Sequence, residues 1–532
     1  MIACLIFLQV LLGGDFIPQM LVLTGAAEME ELSEETLERF EALHAHPINI
    51  NAAPHSRLLG CGLFSAYQTA SLLDYRERTG EIRSLTELAL VDGFNETLVQ
   101  ALAPFISLDA VGAPGQGAPR NWYQSFTLRG SVRAQAGQPP AWTGKGNWHG
   151  EWKDRAELSV STAGSWSAAW HGRHLDLIAG DYNARFGQGL ALWSGFTLSG
   201  FSGSGSFSRN PTGVRASAAH SRANRFRGAA ARFETLHWTG TAFASESGLA
   251  GLNSAWTGRL LSASVTFVHE REWNVLSADA KYCLGGVTLS GEAAWEPGTQ
   301  RPAALAAVQW SPAYGSTLSL LGRWYPACYS GRYAAAPRSS TRTTDEAGVS
   351  LGAGYGWAEL TADAAWHPEK RTRHFTAVVR LAPEISLGGE RNLQGVLRWS
   401  GRWRPEEKYP QRHDLRLDLT ATRGPWVLTV RGNLVWSRGL AALVYAEAGY
   451  KDAQRAVWLR GTLFRADYWE DRIYVYERDA PGDFNVPACY GRGYGLSLNA
   501  NWRPFYLRIA ATRYPGSDKP DRLEVKLALV WR

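Results

Sequence analysis

The stretch PWVLTVRGNLVW, residues 425–436, decides how the long C-terminal part of the chain is read. Trp426, Leu428, Val430, Leu434 and Trp436 fall on one side of an extended backbone, and Thr429, Arg431 and Asn433 on the other. Successive side chains of a pleated chain point to opposite sides, so a two-residue period predicts a strand with one apolar and one polar face. The rhythm continues outward from this stretch. In DLRLDLTA (414–421), Leu415, Leu417, Leu419 and Ala421 alternate with Arg416, Asp418 and Thr420. Further on, Phe505, Leu507, Ile509 and Ala511 alternate with Tyr506, Arg508 and Thr512. Charge recurs on the second face in strand after strand. A soluble sandwich core does not tolerate that, whereas a wide closed barrel with lipid outside and water within does. Counting such segments from Asn121 onward predicts roughly 18 to 22 strands, at about 20 residues for each strand and its turn.

Composition agrees with this reading. The 532 residues include 23 Trp, 20 Tyr and 19 Phe but 3 Met, and mean hydropathy is −0.24. Past residue 27 no apolar run is long enough for a spanning helix. A barrel wall alternates, which keeps mean hydropathy low, and collects amphipathic rings at its two interfaces. Cys4, Cys61, Cys283, Cys328 and Cys489 are scattered, with neither a disulfide framework nor metal-ligand spacing. The formal charge of +6 hides a split: residues 28–108 hold 5 Arg against 13 acids, a net −8, and the chain from Asp109 onward is +15.

Four regions follow. Residues 1–27 open with MIACLIFLQVLL and reach TGAA at 24–27, the pattern of an export signal cleaved near Ala27. It is atypical, since no Lys or Arg precedes the apolar stretch and Asp15 and Pro18 interrupt it; a buried N-terminal helix is the alternative. Residues 28–108 are helical. EMEELSEETLERFEALHAH (28–46) places Leu32, Leu37, Phe40 and Leu43 at helical spacing, with seven acids read as a solvated face in preference to a docking segment for a basic partner. Residues 109–120, DAVGAPGQGAPR, are a linker, and residues 121–532 are the barrel.

Within the helical region, ININAA (48–53), LLDYRERTGEI (72–82), SLTELALVDGF (84–94) and LAPFI (102–106) resemble the tandem helix-hairpin-helix domain of competence-type DNA-binding proteins. The resemblance implies a core of Leu58, Leu59, Leu72, Leu73, Tyr75, Ile82, Leu85, Leu88, Val91, Leu98, Leu102 and Phe105. In DNA-binding members each turn carries Gly-x-Gly, which lets backbone N–H groups approach a phosphate. Here the first turn falls on Leu63, Phe64 and Ser65, and the second on Gly93, Phe94 and Asn95, followed by the carboxylate of Glu96. From His46 to Leu108 the net charge is −2. Phosphate contacts dominate nonspecific affinity, so DNA binding is disfavoured against a protein–protein or structural role.

The last segment, DRLEVKLALVWR (521–532), alternates and carries Trp531 near its end. It looks like the signal by which outer-membrane barrels are recognised for assembly, with Arg532 as a departure. The phrases AGDYNARFGQGLALWSGF (179–196), NRFRGAAARFE (224–234), LGRWYPACYSGRYAAA (321–336), DEAGVSLGAGY (345–355) and RIYVYERDAPGDFNVPACYGRGYG (472–495) resemble a family known mainly from Bacteroidota. Its members are exported proteins that join a helix-hairpin-helix pair to a large barrel. The resemblance implies an α+β multidomain chain: a small all-α helix-hairpin-helix domain in the periplasm, then a large antiparallel transmembrane β-barrel in the outer membrane. The implied partners are outer-membrane lipid, the barrel-assembly machinery and a periplasmic protein. The expected function is non-enzymatic, with the helical domain docking or gating. A DNA-uptake component and an outer-membrane hydrolase are the alternatives, and no activity carries over from the family.

Neither a catalytic constellation, a cofactor motif nor a metal site is expected. His171, His174 and Asp176 are read as a solvated strand end, because positions 171 and 174 of one strand face opposite ways. Asp181, Tyr182, Arg185 and Gln188 are expected to form a lumen network that buttresses a loop, ahead of a ligand site, with Arg323, Asp345, Glu346 and Arg472 as further candidates. The stretch 187–226 is expected to fold outward or into the lumen.

Overall fold

A computed structural model describes residues 16–26, 28–109, 122–152, 155–195, 197, 200–203, 206–217, 225–235, 237–299, 301–313, 315–388, 391–452, 455–516 and 519–531. Among the described residues, twenty-four antiparallel strands form one closed barrel. The first, Trp122–Gln135, pairs with the last, Arg522–Trp531, setting Gly130 opposite Leu527 and Val132 opposite Val525. The expected 18 to 22 strands fall short because many turns are only a few residues long, as at 285–286 and 424–425. Glu384–Gly388 prolongs the line of Thr372–Leu381, since both pair with Arg391–Trp403. Gly213–Ala216 is a short extra strand within a loop.

The two faces sort as their period requires. Leu417, Leu419, Leu428, Val430 and Leu434 are exposed on the outside, and Arg416, Asp418, Arg431 and Asn433 are buried on the inside. Exposed Trp122, Trp152, Trp238, Trp310, Trp357, Trp426 and Trp502 ring one end. Trp295, Trp324, Trp366 and Trp436 ring the other. An apolar wall between two aromatic girdles is the surface that lipid requires. No described helix is long and apolar enough to cross a membrane.

The chain enters the barrel at Trp122 and reaches Trp531 at the same end, where the turns are short. At the opposite end lie three long connections, 186–225, 326–345 and 467–490. Their described parts turn inward and bury Phe186, Leu190, Phe207, Tyr329 and Val475. Of the two directions expected for 187–226, the described part takes the inward one.

Ahead of the strands, the described helices are α1 (Ile17–Thr24), α2 (Glu34–Ala45), α3 (His55–Gly60), α4 (Ala66–Thr79), α5 (Leu85–Leu88) and α6 (Glu96–Leu102), called the helical domain below. Ile48–Asn49 pairs in parallel with Ile106–Ser107. The Asn51 side chain accepts from the Ile82 N–H and donates to the Ile82 carbonyl, both at 2.9 Å, tying the two halves together. Leu58, Leu72, Ile82, Leu88, Val91, Leu102 and Phe105 are buried as expected, and Leu59, Leu73, Tyr75, Leu85 and Leu98 are half-buried around them. The described part of the expected export signal is α1, which packs on α6 with Met20 fully buried. The rest of that signal and residues 110–120 of the linker lie outside the described residues.

Candidate functional site

Cations recur along one stretch of the lumen wall. Their side chains follow the inward positions of neighbouring strands: Arg398 lies opposite Arg416, Arg460 opposite Glu447, Arg508 opposite Lys526, and Arg129 opposite Lys145. Arg431, between Arg416 and Arg460, faces Tyr445 across its own strand pair. Guanidinium groups withdrawn from water need counter-charge. The wall supplies part of it. Asp418 accepts from Arg416 at 2.6 Å and from Arg431 at 2.5 Å, Glu447 from Arg460 at 2.7 Å, and Glu524 from Arg508 at 2.8 Å.

Two other segments supply the rest. The first is a strap ahead of α2. Glu28 lies 3.2 Å from Arg398 and 2.6 Å from Arg416, and Glu30 lies 2.6 Å from Arg431. Burial opposes the Glu30 charge, but Arg431 and Arg416 outweigh it and hold the carboxyl at about 2. The second is the inward loop. Its Glu477 pairs with Arg508 at 2.5 Å, Asp479 with Lys526 at 2.6 Å, and Asp483 with Arg129 at 2.9 Å. Strap and loop also meet, since the Tyr476 N–H donates to Glu30 at 3.1 Å. On the other side of the lumen, Glu35 of α2 pairs with Arg185 at 3.0 Å, and Arg57 of α3 pairs with Glu151.

The acids expected to form a solvated face are therefore turned against the barrel wall. The basic partner is the chain's own lumen, and the −8 and +15 of the two regions meet there. Glu38 has the poorest seat. Burial, with Glu34, Glu41 and Glu35 nearby, pushes its carboxyl up to about 8, against Arg129 at 3.9 Å. The domain leaves a cavity of about 530 Å³ beside the wall, reached by Arg39, Arg57, Arg215 and His149.

The two hairpin turns lie together. Leu63 and Phe64 are buried, and Ser65 caps α4 in a reciprocal box with Gln68. Gly93 has φ 85°, Phe94 is buried with its ring 6.0 Å from that of Phe64, and Asn95 caps α6. The Gln68 side chain donates to the Gly93 carbonyl at 2.9 Å. The first turn has its own left-handed glycine, Gly62 with φ 70°, one residue before the expected position. These turns sit at the barrel rim: α4 packs against Leu249–Thr257 and Leu261–Glu270, and Asp92 lies 3.5 Å from Arg259.

The four expected lumen residues are divided between two tasks. Asp181 pairs with Arg227 at 2.8 Å, and the Tyr182 hydroxyl donates to the Ala244 carbonyl at 2.9 Å. Gln188 accepts from the Arg209 N–H at 2.8 Å, while Arg185 reaches away to Glu35 of the helical domain. The sequence reading missed Glu292, which accepts N–H groups from Gln188 at 2.6 Å and Leu190 at 2.9 Å and so pins the loop. Arg323 pairs with Glu346 at 2.5 Å and Asp363 at 2.8 Å, whereas Asp345 caps a turn at Glu369 and Arg472 lies at the rim beside Trp469. His171 is not a solvated strand end. It contacts Asp176 at 3.2 Å and Glu157 at 3.7 Å inside the lumen, and His174 approaches the Glu234 carbonyl instead. Among the described residues no group of three or more metal-binding side chains converges.

No family model matches the chain, and no curated protein matches it. Among solved structures it is similar to OpdL of Pseudomonas aeruginosa (10% identity, TM-score 0.32, covering 77% of this chain and 98% of that one). It is similar also to OccK2 (OpdF) of Pseudomonas aeruginosa (10%, 0.33, 77% and 97%). A BenF-like porin from Pseudomonas fluorescens Pf-5 gives 10% identity, 0.33, 77% and 98%. These likenesses are too remote to bear on function.

Proposed function

We propose that the protein is a gated outer-membrane channel whose own N-terminal helical domain is the plug. The observation that carries this reading is the set of ion pairs from Glu28, Glu30 and Glu35 to Arg398, Arg416, Arg431 and Arg185 across the lumen. Barrels of about 22 strands are wide enough to hold a plug. Short turns mark the periplasmic end of such barrels and long loops the outer end. On that basis the helical domain enters from the periplasm, after export and assembly by the barrel-assembly machinery. The inward loops close the other side, so the lumen is stopped twice. A periplasmic protein that engages the domain's outer surface, where Leu90 is 79% exposed, is the opener this reading calls for. The docking of the hairpin turns against the rim argues for a protein-facing domain over one that grips DNA.

Planar-bilayer recording tests this. The intact chain is expected to conduct little, and Glu28→Arg with Glu30→Arg, which set like charges face to face, to open it. Heat-modifiable gel migration reports that the barrel remains folded. An intact chain that conducts steadily, or a folded repulsion variant that stays shut, overturns the reading.

A further inference from the structure

We infer that Arg398, Arg416 and Arg431 form a binding track for a carboxylate-bearing chain, an acidic peptide in the simplest case, and that the Glu28–Glu31 strap occupies it as a built-in competitor. This rests on the plug reading and adds the chemistry of what the opened channel takes.

The strap already behaves as a ligand. Met29 and Leu32 are buried in the core of the helical domain, so Glu28 and Glu30 are left to face the wall, alternate carboxylates on one short segment. The track they meet runs across three adjacent strands, roughly 4.8 Å apart from one to the next. Each guanidinium offers a planar fork suited to a carboxylate. Arg416 binds Glu28 at 2.6 Å and stands 3.7 Å from Glu30, Arg398 stands 3.2 Å from Glu28 and 4.0 Å from Glu31, and Arg431 binds Glu30 at 2.6 Å.

Withdrawal of the strap leaves this patch short of negative charge. Asp418 stays bound to Arg416 and Arg431, and Asp414 on the same strand is the next wall acid. Arg402 and Arg412, paired across the same two strands, add further cations, so inward-placed arginines outnumber acids five to two along these strands. Glu447 cannot relieve the deficit, because Arg460 at 2.7 Å and Arg478 at 3.0 Å already hold it. Tyr445 lies under Arg431 at 5.3 Å and under Arg460 at 4.2 Å, which keeps the guanidiniums in place when the strap leaves. A single small anion satisfies one fork. A chain of carboxylates satisfies the row.

The test uses the full-length protein in detergent and a fluorescent ten-residue poly-L-glutamate, read by anisotropy. Glu28→Gln, Glu30→Gln and Glu31→Gln together are expected to bind the peptide at least about tenfold more tightly than the parent, as removal of a bound competitor requires. Adding Arg416→Gln and Arg431→Gln is expected to abolish the gain, and Arg398→Gln alone to reduce it, which keeps the test open if the double substitution unfolds the barrel. Poly-L-lysine is expected to gain nothing. If bilayer conductance rises in the strap variant but peptide affinity does not, or if the gain survives loss of the arginines, the track is wrong while the plug stands. If conductance does not rise either, the plug reading falls and takes this inference with it.

Discussion

Replacing Glu30 by Gln keeps the shape of the strap and removes one charge from its tightest point. The carboxylate lies 2.6 Å from Arg431 and 3.7 Å from Arg416, accepts the Tyr476 N–H at 3.1 Å, and is 12% exposed. Removing one partner of such a buried pair costs about 2–5 kcal/mol, because the other charge stays buried. Asp418 still serves Arg431 at 2.5 Å, so the lower end applies. About 2 kcal/mol shifts the ratio of open to closed channels roughly thirtyfold. The assay is open probability in planar bilayers at fixed voltage, run as a double-mutant cycle with Arg431→Gln. The two substitutions are expected to be non-additive by about 1 kcal/mol or more, since the second removes a charge that the first has already orphaned. An open probability within about twofold of the parent, or strict additivity across the cycle, refutes the reasoning.

Closure should depend on pH with opposite signs at two carboxyls. Glu38 is raised to about 8 in the seated plug, so its contribution is complete below its ordinary value of 4.5 and is lost as pH rises through about 8. Glu30 is lowered to about 2, so its contribution is present above 4.5 and is lost only as pH falls through about 2. Open probability is therefore expected to climb between about pH 4.5 and about pH 8 and to level off above that, and Glu38→Gln to flatten the climb. Glu292→Ala removes the acceptor for the Gln188 and Leu190 N–H groups and should loosen the inward loop by about 3 kcal/mol. Limited trypsin digestion is then expected to cut near Arg209, where the parent resists; equal resistance in both would show that Glu292 does not pin the loop. The full chain is expected not to retard duplex DNA in gels at about 0.15 M salt, and tight salt-sensitive retardation would reverse the assignment of the hairpin turns.

What could be read in advance was what a local period encodes. Leu417 and Arg416, or Val430 and Arg431, take opposite faces because one residue of shift fixes the side, and no distant contact can alter that parity. The number of strands was less legible, because turns as short as 285–286 leave no loop composition to mark them. The seat of the strap could not be read at all. Glu28 and Arg416 are 388 residues apart, and an acidic stretch carries no record of which basic surface will meet it. The opposite net charges of the two regions were the one signal that could have found it. Motif spacing puts the first turn at Leu63, whereas α3 ends at Gly60 and the left-handed residue, Gly62, follows two positions later. Strand parity does not govern His171 and His174, because Trp166–His171 and Leu175–Arg185 are separate strands with a turn between them.

The seam between Trp122–Gln135 and Arg522–Trp531 joins the earliest strand of the wall to the latest, so the cylinder cannot be completed until the whole chain has been delivered. The stopper precedes that earliest strand in sequence and is at hand while the staves are still being added. An arginine-lined hoop drawn shut on nothing would repel itself, whereas one drawn shut around a ready-made block of acids is neutralised as it tightens. On the proposed plug reading, chain order thus makes the acidic segment a former around which the wall can close.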